Sequence, residues 1–149
     1  MANQKIIAIG SDHAGFNYKS ALKEHLTAAG YEVRDFGTDS EASTDYPDYV
    51  HPLAQLIESG EIERGILVCG SGNGVCMTAN KYAHVRAALV WENDLAALAR
   101  QHNNANVICL PERFVSLENA LQFVDTFLET DFEGGRHERR VNKIAPAQS

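Results

Sequence analysis

Gly65-Ile-Leu-Val-Cys69, running straight into Gly70-Ser-Gly-Asn-Gly74, decides the fold. An uninterrupted apolar run of this length suits a strand covered on both faces, and the glycine loop after it opens a short helix that reaches Lys81. The same alternation recurs on either side. Lys5–Gly10, Tyr31–Gly37, Arg86–Trp91 and Asn106–Leu110 read as strands. Between them lie stretches of helical period: Phe16, Leu22 and Leu26, stopped by Gly30; Val50, Leu53, Leu56 and Ile57, entered through Pro47 and ended before Gly60; and a third from about Asp94 to His102. Pro52 counts against the start of the second. Ser116 caps a helix carrying Leu117, Leu121, Val124 and Leu128 on one face. After Gly134-Gly135 a polar tail from Arg136 to Ile144 has only Val141 and Ile144 as apolar anchors, and reads as a terminal helix that docks on another surface, such as a second subunit. Strands joined by single helices predict an α/β fold, a Rossmann-like three-layer α/β/α sandwich on a five-stranded parallel sheet in the order 2-1-3-4-5.

Composition bounds the function. The chain has 149 residues, 44% of them apolar, which suits a single domain over residues 1–149 with a helical tail from about 136. A formal charge of -7 and a pI near 5.3 give no broad attraction to nucleic acid or anionic lipid, so an anion must be held by a local basic cluster. Met1 to Lys5 does not open a targeting segment and no stretch approaches the roughly 20 apolar residues of a membrane span, so a cytoplasmic location is expected. Cys69, Cys76 and Cys109 lack the spacing of a disulfide framework or zinc knuckle and read as reduced thiols. His25, His51 and His84 show no ligand spacing and read as surface groups, and no metal site is expected.

In open parallel sheets ligands sit outside the carboxyl ends of the strands where the strand order reverses, which selects Ser11-Asp12-His13 and the loop from Cys69 to Gly74. Cys69 is either a nucleophile or base, with loop amides favouring its thiolate, or a buried core filler of the kind Cys109 resembles. Gly70, Gly72 and Gly74 let backbone amides approach an anion, or simply make a tight turn. Glycine at position 75 would be needed for a dinucleotide fingerprint, and that residue is Val75. Asp12 and His13 either orient a substrate hydroxyl or cap a helix. His102 is either a cation held by a helix C-terminus or an acid-base group. Arg136 and Arg140, four apart, share one face of a helical tail and form either a phosphate grip, joined by Arg113, or a solvated face.

At these residues the sequence resembles the RpiB-type ribose-5-phosphate isomerases, a family that also holds galactose-6-phosphate, allose-6-phosphate and tetrose-phosphate isomerases. The resemblance runs through Gly10-Ser-Asp-His-Ala-Gly15, Thr44-Asp-Tyr-Pro47, Cys69-Gly-Ser-Gly-Asn-Gly74, Ala79-Asn-Lys81, Arg100-Gln-His-Asn103 and Glu133-Gly-Gly-Arg-His137, in family order and spacing. It implies a cofactor-free enzyme of the pentose phosphate pathway acting on a small phosphorylated sugar, and a homodimer or dimer of dimers with active sites shared across the interface. It also implies that Cys69 is the base shuttling a proton between C1 and C2, that Ser71 and loop amides, including Asn73, hold the enediolate, and that His102 opens the sugar ring. Asp12, His13, Tyr46 and Asn103 would contact the sugar, and Arg113, Arg136 and Arg140 the phosphate. One branch of the family uses a glutamate just after the glycine loop instead of the cysteine; Val75 stands there, so the cysteine branch is indicated. Ser71 and Asn73, where the cysteine branch commonly has threonine, make the loop itself look like the other branch.

Two rivals come from other classes. Glu92 lies where a ribose-binding acid would stand in a nucleotide-binding module, which would bind nucleotide tightly and turn over no sugar phosphate. A metal-dependent isomerase would lose activity on chelation.

Overall fold

A computed structural model describes residues 5–147; the sequence reading of Met1 to Gln4, and the last two positions of the expected domain, lie outside the described residues. The chain runs β1 (Ile6–Ser11), a single 3-10 turn (His13–Gly15), α1 (Phe16–Ala28), β2 (Glu32–Asp35), α2 (Pro47–Ser59), β3 (Arg64–Cys69), α3 (Asn73–Ala79), β4 (Ala87–Leu89), α4 (Asn93–Gln101), β5 (Val107–Pro111), α5 (Leu117–Glu129) and α6 (Arg136–Val141). Pro47 stands at the start of α2, Gly60 closes it in the left-handed region at φ 82°, and Pro52 falls on its exposed side. Ser116 caps α5 by accepting from the Asn119 N–H. The strands expected at 31–37 and 86–91 are shorter than their apolar stretches, because both lie at sheet edges where one neighbour is missing.

Pleating divides the core between the two faces. Ile7, Ile9, Ile66, Val68, Ile108 and Leu110 point to one side, where α1, α4 and α5 pack through Leu22, Leu26, Ala96, Ala99 and Phe127. Ala8, Leu67, Cys69, Val107 and Cys109 point to the other, covered by α2 and α3 through Val50, Leu53, Ile57 and Val75. Each Ile or Leu removed from water here contributes roughly 1.5–3 kcal/mol before entropy is counted.

All pairings are parallel, but the order is β2-β1-β3-β5-β4, which corrects the expected 2-1-3-4-5. The reason lies in the helix layers. Right-handed crossovers on one face all move the chain the same way across a sheet, and α4 packs on the face of α1, which carries β1 outward to β2. It must therefore carry β4 back toward the centre and seat β5 against β3. The fully buried Val107–Pro111 takes the interior position and the half-buried Ala87–Leu89 the edge. The reversal between β1 and β3 is unaffected.

Candidate active site

At the carboxyl ends of the strands, Cys69 closes β3 opposite Pro111 of β5, with 5% of its surface exposed. The Gly72 N–H donates to its Sγ at 3.2 Å, so the glycine loop folds back over the sulfur. Gly72 itself holds φ 77°, a conformation that glycine enters without strain. Two other glycines leave room for close neighbours. A Cβ on Gly70 would stand 3.1 Å from the Arg113 guanidinium, and one on Gly74 would stand 2.6 Å from the Tyr46 ring. Arg113 and Tyr46 therefore wall the loop on two sides. Ser71, exposed at the tip, accepts from the Asn73 N–H at 3.3 Å.

The end of β1 joins this wall. Asp12 is 7% exposed and its Oδ1 accepts from the Ala14 N–H at 2.9 Å, capping the turn that follows. His13 Nδ1 accepts from the Thr44 N–H at 3.2 Å, which leaves the ring proton on Nε2 and ties the 39–46 loop to β1. Gly15 abuts the backbone of Val68, bringing the start of α1 against β3.

His102, Asn103, Arg136 and Arg140 are elsewhere. Helix α4 leaves the carboxyl end of β4 and ends at Gln101, so His102 caps it at the opposite edge of the sheet, where β5 begins. The length of β5 alone, roughly 17 Å at about 3.3 Å per residue, separates this edge from Cys69. Here the His102 and His137 rings stack with centroids 4.2 Å apart and planes 12° apart. Glu133 Oε1 lies 3.5 Å from His137 Nε2 and 4.0 Å from His102 Nε2, and the Glu133 N–H donates to the Gln101 carbonyl at 3.1 Å. Arg136 and Arg140 are exposed on α6. Asn103 lines a cavity of ≈ 500 Å³ with Asn80, Lys81, Arg86 and Ile144. Thus one set of site residues converges at each end of the molecule.

The chain matches the family model for Ribose/Galactose Isomerase over residues 7–144. The chain belongs to the ribose/galactose isomerase family. It is 50% identical over 139 residues to a probable ribose-5-phosphate isomerase B of Mycoplasma pneumoniae, covering 93% of this chain and 91% of that protein. Among solved structures it resembles a ribose 5-phosphate isomerase of Thermotoga maritima with TM-score 0.93 and 52% identity, covering 95% and 98% of the two chains. It resembles ribose-5-phosphate isomerase B of Mycoplasma genitalium, solved with bound ribulose-5-phosphate, with TM-score 0.90 and 47% identity over 94% and 93%.

Within this ribose/galactose isomerase chain several residues matter that the sequence left unassigned. Glu112, next after β5, sits beside Asp12 and accepts from the Tyr18 N–H; burial, then the Asp12 and Glu41 charges, push its carboxyl up. The hydroxyls of Ser11 and Thr44 are buried without a hydrogen-bond partner among the described residues, flanking Asp12 and His13. Both stand inside motifs already singled out, which is the only signal they gave. Arg100 is structural: 4% exposed, it donates to the Thr130 and Ala105 carbonyls and to Asn104, and burial followed by Arg64 lowers its pKa to about 10. Cys109 is core filler, wholly buried, with its thiol pushed up by desolvation and by Cys76. Val75 is buried beneath the loop and offers no base.

Proposed function

We infer that the chain is an aldose-ketose isomerase interconverting D-ribose 5-phosphate and D-ribulose 5-phosphate through a cis-enediolate. Cys69 carries this assignment: a buried thiol at the sheet's reversal point, under a glycine loop whose amide points at the sulfur. Its thiolate takes the proton from C2 of the open-chain aldose while the electron pair moves to the C1 oxygen. Return of that proton to C1, with the O2 proton passing to O1, gives the ketose. Donor and acceptor carbons belong to one molecule, so the chemistry requires neither a hydride carrier nor a metal.

An α-proton is weakly acidic, and the oxyanion must be met by donors already in place; Ser71 and the amides of Gly70 to Gly74 fill that role. Asp12, His13 and Tyr46 orient the sugar hydroxyls, and Arg113 serves the phosphate. His102 opens the ring, Asn103 contacts the sugar, and Arg136 and Arg140 hold the phosphate. Because these last four lie at the opposite end of the sheet, they reach Cys69 only from another copy of the chain, so each site joins the carboxyl end of one subunit to the α4–α6 end of its partner. This supports a homodimer or dimer of dimers, built from one domain over 1–149 whose tail from about 136 serves the neighbouring site; a cytoplasmic location is the reading that suits a sugar-phosphate enzyme. Membrane insertion finds no support, since none of the described helices is long and apolar enough to cross a bilayer.

The test is turnover of a panel of four- to six-carbon aldose and ketose phosphates by the purified protein, with chelator and without added cofactor. Preference for ribose 5-phosphate is expected. Preference for another sugar phosphate keeps the mechanism and replaces the substrate, and no turnover with tight nucleotide binding replaces both.

A further inference from the structure

We propose that His102, Glu133 and His137 form a zinc site between the end of α4 and the start of α6, and that a zinc ion bound there arrests the isomerase. One ligand atom from each residue lies within 4.8 Å of the others, in a His-His-Glu set of the kind that binds zinc and leaves a fourth position open. His137 supplies an independent observation. Its residue is 8% exposed, and its Nε2 is buried without a hydrogen-bond partner among the described residues, Glu133 Oε1 standing off at 3.5 Å. A coordinated cation supplies that nitrogen with a partner.

The two rings stack at 4.2 Å and 12° from parallel, which brings both Nε2 atoms to the same side as Glu133 Oε1. Bonds of about 2.0–2.1 Å to nitrogen in a tetrahedron place ligand atoms about 3.3 Å apart, so the cluster must contract and the rings must splay. His102 has room to do so, with 41% of its side chain exposed, whereas Glu133 is held by its backbone bond to Gln101. Arg136 and Arg140, on the same short helix as His137, oppose a dication and favour an anion in the fourth position.

Zinc binding needs only this geometry; the arrest rests on the functional reading, in which the His102 nitrogen handles the ring-opening proton. Zinc on Nε2 occupies the lone pair that this step uses.

The full chain, stripped with EDTA and desalted, is titrated with Zn2+ against a chromophoric chelator. One bound zinc per chain is expected, weakened by more than about tenfold in both Glu133→Gln and His137→Asn and unchanged in Arg139→Gln and Cys69→Ser. Absence of a bound zinc, retention of full affinity in Glu133→Gln and His137→Asn, or loss in Cys69→Ser overturns the site. Turnover of ribose 5-phosphate should fall as zinc binds and return with EDTA; turnover that persists in the zinc-loaded chain overturns the arrest. Zinc bound with the expected variant pattern to a chain that turns over no sugar phosphate supports the site and overturns the isomerase assignment instead.

Discussion

Cys69→Ala removes the thiol beneath the Gly72 amide and adds nothing that can take a proton. Turnover should fall about 10²–10⁴-fold, the usual contribution of a positioned base, while thermal unfolding and phosphate binding stay near the parent values; substantial residual activity excludes Cys69 as the base. Two glycines separate loop geometry from stability. In Gly74→Ala the new methyl meets the movable Tyr46 ring, so the expected result is a displaced ring, a raised KM and little change in melting. In Gly15→Ala it meets the backbone of Val68, which cannot turn aside, and a loss of about 1–3 kcal/mol in urea unfolding is expected. Equal melting temperatures for the two variants would contradict this distinction. At this scale the sequence was most legible. Asp12, His13, Tyr46, the glycine loop and Arg113 are together in the structure, because a parallel sheet delivers its strand ends to one edge.

At the scale of elements, the strands, the caps at Ser116 and Gly60 and the sandwich were readable from local pattern, but the order of the last two strands was not. That order depends on which face α4 covers, a property of packing rather than of Asn93–Gln101 itself. For the same reason His102 could be placed at a helix end but not beside Glu133 and His137, which arrive from a distant segment. Arg100 is the pin of this junction. Arg100→Met should leave the Thr130 and Ala105 carbonyls without their donor and cost roughly 1–3 kcal/mol in urea unfolding, with turnover falling as the His102–Asn103 turn loosens. An unchanged unfolding midpoint would show that the junction holds without it.

For the whole molecule, acid stability should depend on Asp35. Burial alone would raise its pKa, but hydrogen bonds from Lys19, the Gly37 N–H and Lys23 outweigh burial and lower it below the ordinary 3.8. A lowered carboxyl contributes stability above its unfolded value and loses it as pH falls through the folded one, so the loss belongs below pH 3.8. Asp35→Asn should flatten that limb of the urea midpoint against pH; a parallel curve would assign acid unfolding elsewhere. The larger feature is the placement of the candidate residues at two ends of one sheet, with Cys69, the proposed base, at one and His102, Arg136 and Arg140 at the other. Neither Cys69→Ala nor His102→Ala subunits can then build a complete site, yet a mixed pair can. The decisive measurement is ribose 5-phosphate turnover after the two inactive variants are unfolded together and refolded. In a two-fold dimer roughly a quarter of parental activity should return, from the intact site of each mixed pair; a mixture as inactive as its components would contradict the shared site.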